Sequence, residues 1–567
     1  MKIFILAFSV FFMSTAGYAG SPKNLNVSGS CTPKEKWSGQ GNLPENVLDN
    51  LTDMLAGDIA PALGLARAYD LEKNKSSEAR LLGYYMEGRA LLMSGLEDTA
   101  MEGLTYAATS GSTSPTGNEI QFAAMQCITH ILRANPGMPV PATIASNLKS
   151  LAALATTPAR RQIPSELALD ILLDRISQDQ TGYDEVLGAL SGTGAYENVA
   201  RGMIAAQKRD HLQVIAHLSP ILPANKHANL PEGLKSEETR ARLTLARAYY
   251  ATQQFDEAIA QYQRIDHRSN EISEVLSELG WSYIQLKRYG DAVGIAVNLR
   301  LGEMRGTFTP ESLEVASMSL NELCQFQESL RTVKTLEHDY EPSYAWLKNK
   351  ATSNSGPSLY TLAINYLKGN AGDVPAKVAG EWIRAPLFLS GQSEIHRLFG
   401  VKEHYNNLIN SMKDALGSAK TADQEPIRQA VLLLQQHQSN TLEAADKTRT
   451  QWVDRINAEL TRRDARMLAE LEDVRENSRM VKIEIYNGAS HDMIWRRAHP
   501  EFKESDTKFL SEKNSPSGSA VWNWGKVDLN ADHAEVWEDE LGAFRAHLQD
   551  HCSDKDRYLG VSTPPTK

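Results

Sequence analysis

Between about residue 46 and residue 345 the apolar positions recur three and four apart, and alanine and leucine dominate them. Runs of β-branched residues are few. That spacing puts the apolar side chains on one face of a helix with 3.6 residues per turn. Turn-forming clusters cut the pattern into helix, short turn, helix. They lie at residues 110–115, at 135–137, between Pro220 and Pro231, and at 353–357. A long polar helix is predicted over 424–486. It is followed by a Trp-rich segment, 487–567, broken by small residues and proline at 511–519 and ending in a disordered tail. Residues 20–45, rich in Gly, Ser, Asn and Pro, read as a flexible leader. The fold class is all-α.

The helical region repeats itself. Leu245-Ala246-Arg247-Ala248-Tyr249 recurs as Leu279-Gly280-Trp281-Ser282-Tyr283, a shift of 34 residues, and the same shift takes Phe255 to Tyr289 and Ala258 to Ala292. Two antiparallel helices can approach closely only where side chains are small. Ala246 and Gly280 on the first helix, with Ala258 and Ala292 on the second, supply that condition. Phe255 and Tyr289 open the second helices and pack back on the first. A looser third copy uses Ser317, Phe326 and Ser329, with Phe326 37 residues after Tyr289. Two weaker copies lie upstream, one with Gly88, Leu91 and Ala100, the other with Gly202, Ala205 and Val214. A hairpin of this kind buries one face only against its neighbour, so units must stack.

These residues resemble the tetratricopeptide repeat (TPR), a helix–turn–helix unit of 34 residues. The likeness rests on 236–349; residues 46–235 read as a degenerate helical-repeat region. Pro342 falls near the closing proline of that family. More loosely, the layout is similar to large exported TPR proteins of gliding and predatory bacteria. That likeness is carried by Asn321-Glu322-Leu323-Cys324-Gln325-Phe326, by Asn487-Gly488-Ala489-Ser490 with Trp495, and by Trp537-Glu538-Asp539-Glu540-Leu541-Gly542. The resemblance implies an α-solenoid whose first helices line a concave groove. Arg240, Arg247 and Tyr250 would line it in one unit, Trp281 and Gln285 in the next, and Glu314, Met318 and Asn321 in the third. Arg247 and Trp281 follow the small packing residue by one position, so they point about 100° from the seam within the unit. Trp281 then has two readings: an anchor for a bound peptide or helix, or packing against the following unit.

Within the long helix, Val453, Leu460, Met467, Val474 and Val481 recur every seven residues, with Ile456, Leu471 and Ile485 in the companion positions. Arg463 and Asp464 leave one layer polar. This is the pattern of a coiled coil. Its stripe either pairs with a twin through residues 450–486 in a homodimer or folds against the helices between 358 and 420.

Composition and charge narrow the function. The 567 residues carry a net charge of −11 with no block of Lys or Arg, which disfavours nucleic acid as a partner. Lys2, the apolar run 3–13 and the small residues through Ala19 form a secretory signal peptide, cleaved after Ala19. No other run is long and apolar enough to span a bilayer, so a periplasmic or secreted chain is expected. An oxidising compartment permits disulfides among Cys31, Cys127, Cys324 and Cys552. A bond between Cys324 and Cys552 would tie the C-terminal segment to the repeats; four buried thiols are the alternative. No P-loop, HExxH, GxSxG or CxxC pair occurs. His547 and His551 share a helix face but lack further metal ligands nearby, so no metal or cofactor is expected. The reading that results is a non-catalytic protein-binding scaffold of a bacterial envelope, in a motility or envelope-assembly complex. The competing reading is a cell-wall-acting enzyme or accessory that uses the repeats as a docking arm.

Overall fold

The computed structural model describes residues 61–498 and Leu548, apart from short stretches at 74–75, 136, 156–157, 178–181, 225–227, 301–303, 305, 353–355, 371 and 420. The expected signal peptide and leader, Cys31, Cys552 and the histidines near the C-terminus lie outside the described residues. Within them the chain forms nineteen α-helices and no strand. In order these are α1 (Pro61–Glu72), α2 (Ser77–Met93), α3 (Glu97–Thr109), α4 (Pro115–Ala134), α5 (Ala142–Leu154), α6 (Pro158–Ser177), α7 (Asp184–Leu190), α8 (Ala195–Gln207) and α9 (His211–Leu218). They continue as α10 (Glu238–Ala251), α11 (Phe255–Tyr262), α12 (Ile272–Gln285), α13 (Tyr289–Asn298), α14 (Pro310–Glu322) and α15 (Phe326–Thr352). The last four are α16 (Leu359–Leu367), α17 (Ala376–Arg384), α18 (Pro386–Ser418) and α19 (Thr421–Ala498).

Local chemistry sets many of the starts. Ser114 accepts from the Gly117 N–H at 3.0 Å and Pro115 takes the first position of α4. Asp210 caps α9 through the Gln213 N–H, and Ser358 caps α16 through that of Thr361. The predicted breaks at 135–137, 220–231 and 353–357 lie between the bounds of successive helices, and that at 110–115 ends on Pro115, the first residue of α4.

The chain divides into two compact units. The first holds α1–α7, the start of α8, residues 231–234, α18 and α19 as far as Arg455. Arg397 of α18 there reaches Asp98 of α3 at 2.6 and 2.8 Å and Glu394 at 2.6 Å. The Tyr405 hydroxyl sits between Thr99 and Thr441, at 2.8 and 3.0 Å. The second unit holds the rest of α8, α9–α17 and α19 from Ile456 onward. Its main core runs without a break through α10, α11, α12 and α13 to Val315 of α14, and includes Ala246, Ala258, Leu279, Tyr283 and Ala292.

One turn geometry recurs in five hairpins. Gly95, Arg209, Gln253, Lys287 and Cys324 all have φ between 54° and 72°. At each, two backbone bonds close the preceding helix in the same way. Gln253 N donates to the Tyr250 carbonyl and Gln254 N to that of Tyr249, Lys287 and Arg288 repeat this on Ile284 and Tyr283, and the other three turns match. The second helix begins two residues after the turn residue every time, at Glu97, His211, Phe255, Tyr289 and Phe326. Seven residues before it stand Gly88, Gly202, Ala246, Gly280 and Ser317, and five after it Ala100, Val214, Ala258, Ala292 and Ser329. Those after the turn are all buried, at 0–1% exposure. The two weak upstream copies therefore share the position and turn of the strong ones. Space is short at the small residues: a Cβ on Gly88 would lie 2.5 Å from Leu104, and one on Gly202 2.6 Å from Leu218.

Two sequence expectations are modified. Pro342 does not close the third hairpin; it sits inside α15, which continues to Thr352. The long helix is not confined to 424–486 but runs from Thr421 to Ala498. Its heptad stripe is buried by the chain itself, with Ile456, Leu460, Met467, Leu471, Val474, Val481 and Ile485 all at or below 4% exposure. Trp452 is buried in place of Val453. Residues up to 455 meet α18: Gln438 bonds Asn406 and Arg449 stacks over Phe399. The second half meets α17 but also α14 and α15, upstream of 358, where Val481 and Ile485 pack on Val333, Met318 and Phe326.

The left-handed turn residues carry a cost, because four of the five are not glycine, and an L-residue there costs about 1–2 kcal/mol. Gln253→Gly and Lys287→Gly are expected to raise stability in chemical denaturation by up to about 1 kcal/mol each. Ala258→Leu and Ala292→Leu should each lower it by about 1–3 kcal/mol through overpacking.

Candidate protein-binding face

The first helices of the second-unit hairpins, α10, α12 and α14, carry all eight residues that the repeat pattern assigns to a groove. The structure ties most of them to the next hairpin. Arg247 of α10 donates to Glu278 of α12 at 2.6 and 2.9 Å and to Glu274 at 2.7 Å. Trp281, in the matching position on α12, donates its indole N–H to Glu311 of α14 at 2.9 Å. Glu274 and Glu311 occupy matching positions in the first turns of α12 and α14, where the helix dipole favours a carboxylate. One polar link thus repeats along the stack. The Trp281 ring is partly buried against the main core, the packing role weighed from sequence, and part of it stays exposed.

Tyr250 packs edge-on to Phe255 at 5.3 Å and is hydrogen-bonded to Gln285, whose side chain is exposed. Arg240 pairs with Glu237 at 3.3 Å, and its side chain is 47% exposed. Arg240, Arg247, Tyr250, Trp281 and Gln285 therefore leave cationic, aromatic and amide groups partly exposed along α10 and α12.

The third hairpin is different. Glu314 is only 2% exposed, and the Asn477 amide of α19 donates to it. Met318 packs against Val333, Val481 and Ile485. The Asn321 amide donates to Glu484 at 3.3 Å. All three touch the long helix, which packs beside α14 and α15. Gly488 permits this, since a Cβ there would fall 2.3 Å from the Phe326 ring.

The residues assigned to repeat packing behave as a core: Leu245, Ala246, Leu279, Gly280 and Tyr283 are buried, and Tyr249, Phe255, Tyr289 and Phe326 partly so. Gly280 serves two contacts at once. A Cβ on it would lie 3.2 Å from Val315 of the next hairpin and 3.6 Å from Ile295 of its own. Cys324 is disulfide-bonded and Cys127 is buried, while the expected pairing partner, Cys552, lies outside the described residues.

Sequence reasoning missed the partners Glu274, Glu278, Glu311, Asn477 and Glu484. It also missed a carboxylate pair in the first unit. Glu72 of α1 and Glu87 of α2 are both raised well above the ordinary carboxylate range by burial, and Glu87 further by Glu72. Paired raised carboxylates can mark acid–base catalysis. At 7% exposure, however, Glu87 is buried, and that burial favours its neutral form. No family model, curated protein or solved structure matches this chain. No helix among the described residues is long and apolar enough to cross a membrane.

Glu278 also accepts from the buried Tyr262 hydroxyl at 2.8 Å. Glu278→Ala should cost about 1–3 kcal/mol in chemical denaturation, because it strands that hydroxyl. Tyr262→Phe leaves Glu278 paired with Arg247 and should cost less. A double-mutant cycle over the two positions should show coupling.

Proposed function

We propose that this protein is a non-catalytic, tetratricopeptide-type scaffold of a bacterial envelope, which binds a partner polypeptide along α10 and α12. The observation that carries the reading is the set of side chains the hairpins align there. Arg247, Tyr250, Trp281 and Gln285 stand on successive first helices, each fixed on one side and open on the other. An aromatic and guanidinium surface held rigid in this way loses little entropy on binding, and such residues dominate interface energetics. The N-terminal pattern ending at Ala19 supports an exported chain. The motility or envelope-assembly context rests on the looser likeness alone.

The test replaces Arg247 and Trp281 together with alanine and compares the proteins captured from envelope extract with those captured by the wild-type chain. The proposal expects at least one partner to be lost. Because both residues also link hairpins, circular dichroism must show the variant folded, and Gln285→Ala, which leaves both links intact, serves as the milder variant. An unchanged set of captured proteins with both folded variants removes the proposed face.

A further inference from the structure

The long helix meets the hairpins of the second unit through an apolar stripe and three acidic side chains. Asp464 accepts from the Trp382 indole N–H of α17 at 2.7 Å, while its second oxygen is buried with no hydrogen-bond partner. Lys350 of α15 is the cation near it. Glu470 lies near Glu274 of α12, Glu311 of α14 and Glu381 of α17 and near Arg466, one turn earlier; Glu274 is itself paired with Arg247, and Glu381 with Arg384 and Arg463. Glu314 comes from the other side, from α14, bonded to Asn477 and facing Glu311 and Asp473.

Carboxylates in such surroundings favour the neutral form. Burial is the largest cause for each, and it pushes Asp464 and Glu314 up to about 7 and Glu470 to about 8. The orphan oxygen of Asp464 independently fits a protonated acid. The other contacts of this stretch are Arg475 with Glu341 at 2.6 Å, Lys482 with Glu337, and the buried apolar stripe.

We propose that residues 464–485 of α19 are an intramolecular occupant of the third hairpin's first-helix face, seated by the protonated forms of Asp464, Glu470 and Glu314 and loosened when these ionise. The occupant covers Glu314, Met318 and Asn321, so a partner must compete with it there, and competes better as pH rises. That consequence for a partner rests on the function proposed above; the seating itself does not.

The sign follows from linkage. In the undocked helix these acids have ordinary values of about 4, so they are ionised at neutral pH. The docked form holds their protons up to about pH 7–8. The seating is therefore full below about pH 4 and is lost progressively as pH rises to about 8.

Hydrogen exchange of the full chain at pH 5.5 and 8.5, corrected for intrinsic rates, reads this directly. Protection of residues 464–485 is expected to fall about tenfold or more between the two. Each step of one in pH over which a docked acid keeps a proton that the free acid has lost changes the equilibrium by about a factor of ten. Helix α5, which carries no acidic residue or histidine, provides the internal reference. The triple variant Asp464→Asn, Glu470→Gln, Glu314→Gln should keep at pH 8.5 the protection that wild type has at pH 5.5. Should the triple variant misfold, the partly exposed Glu470→Gln alone should remove a share of the pH dependence. Equal wild-type protection at both pH values overturns the proposal, as does a folded variant that keeps the full dependence. Exchange reports the seating whether or not a partner is captured, so its failure is separate from failure of the proposed function.

Discussion

Two helices joined by a three-residue turn can share a core only if one of them has almost no side chain where they cross, and this requirement shapes the second unit. The left-handed turn residue fixes the exit direction of the chain. Once that is set, the crossing point is set as well, seven residues before the turn and five after it. A larger group at the first position strikes the partner helix, as Gly88 and Gly202 show against Leu104 and Leu218. Apolar burial drives the pairing, but it does not choose the geometry. The choice comes from where bulk is forbidden.

A hairpin built this way leaves an apolar flank uncovered. In α10–α13 the next hairpin covers it, and the core continues to Val315. Polar links then lock the order, from Arg247 to Glu274 and from Trp281 to Glu311. The series changes at α14, where the residue matching Arg247 and Trp281 is Met318. An apolar group there calls for an apolar neighbour, and the heptad stripe of α19 supplies one in Val481 and Ile485. Terminal units of helical stacks need such a cover. The long helix provides it without a turn or a repeat of its own.

The hairpins were legible in the sequence because crossing points demand small residues at fixed intervals, and Ala246, Gly280, Ala258 and Ala292 stand in a row of otherwise large apolar positions. Even the weak copies at Gly88 and Gly202 could be found, since glycine inside a helix is costly and needs a reason. The turns were not legible. Arg209, Gln253, Lys287 and Cys324 carry no mark of a left-handed conformation, because the two backbone bonds that impose it are blind to side chains. The heptad stripe was plain in the sequence, but its partner was not. A stripe of Val, Leu and Ile fits any apolar surface, and contacts such as Phe326 at Gly488, Asn477 to Glu314 and Asn321 to Glu484 distinguish α14 and α15 as neighbours. Buried acids escape notice for a similar reason, since Glu72 and Glu87, or Glu314 and Glu470, meet only after four helices have packed.

The polar layer at Arg463 and Asp464 interrupts the stripe, and its weight can be judged against the rest. Burying a Leu, Ile, Val or Met side chain contributes about 1.5–3 kcal/mol, so the five apolar residues from Met467 to Ile485 hold the helix with roughly 10 kcal/mol before its ordering is counted. A tenfold change in proton affinity is worth about 1.4 kcal/mol, and each of the three acids holds its proton far more tightly when docked than an exposed carboxyl does. Ionisation of these acids opposes the seating without touching the apolar contacts. A helix held by the stripe alone would be a fixed cap, whereas one that must also keep three protons has a grip that depends on its surroundings. The apolar stripe decides where the helix sits, and the acids decide how firmly.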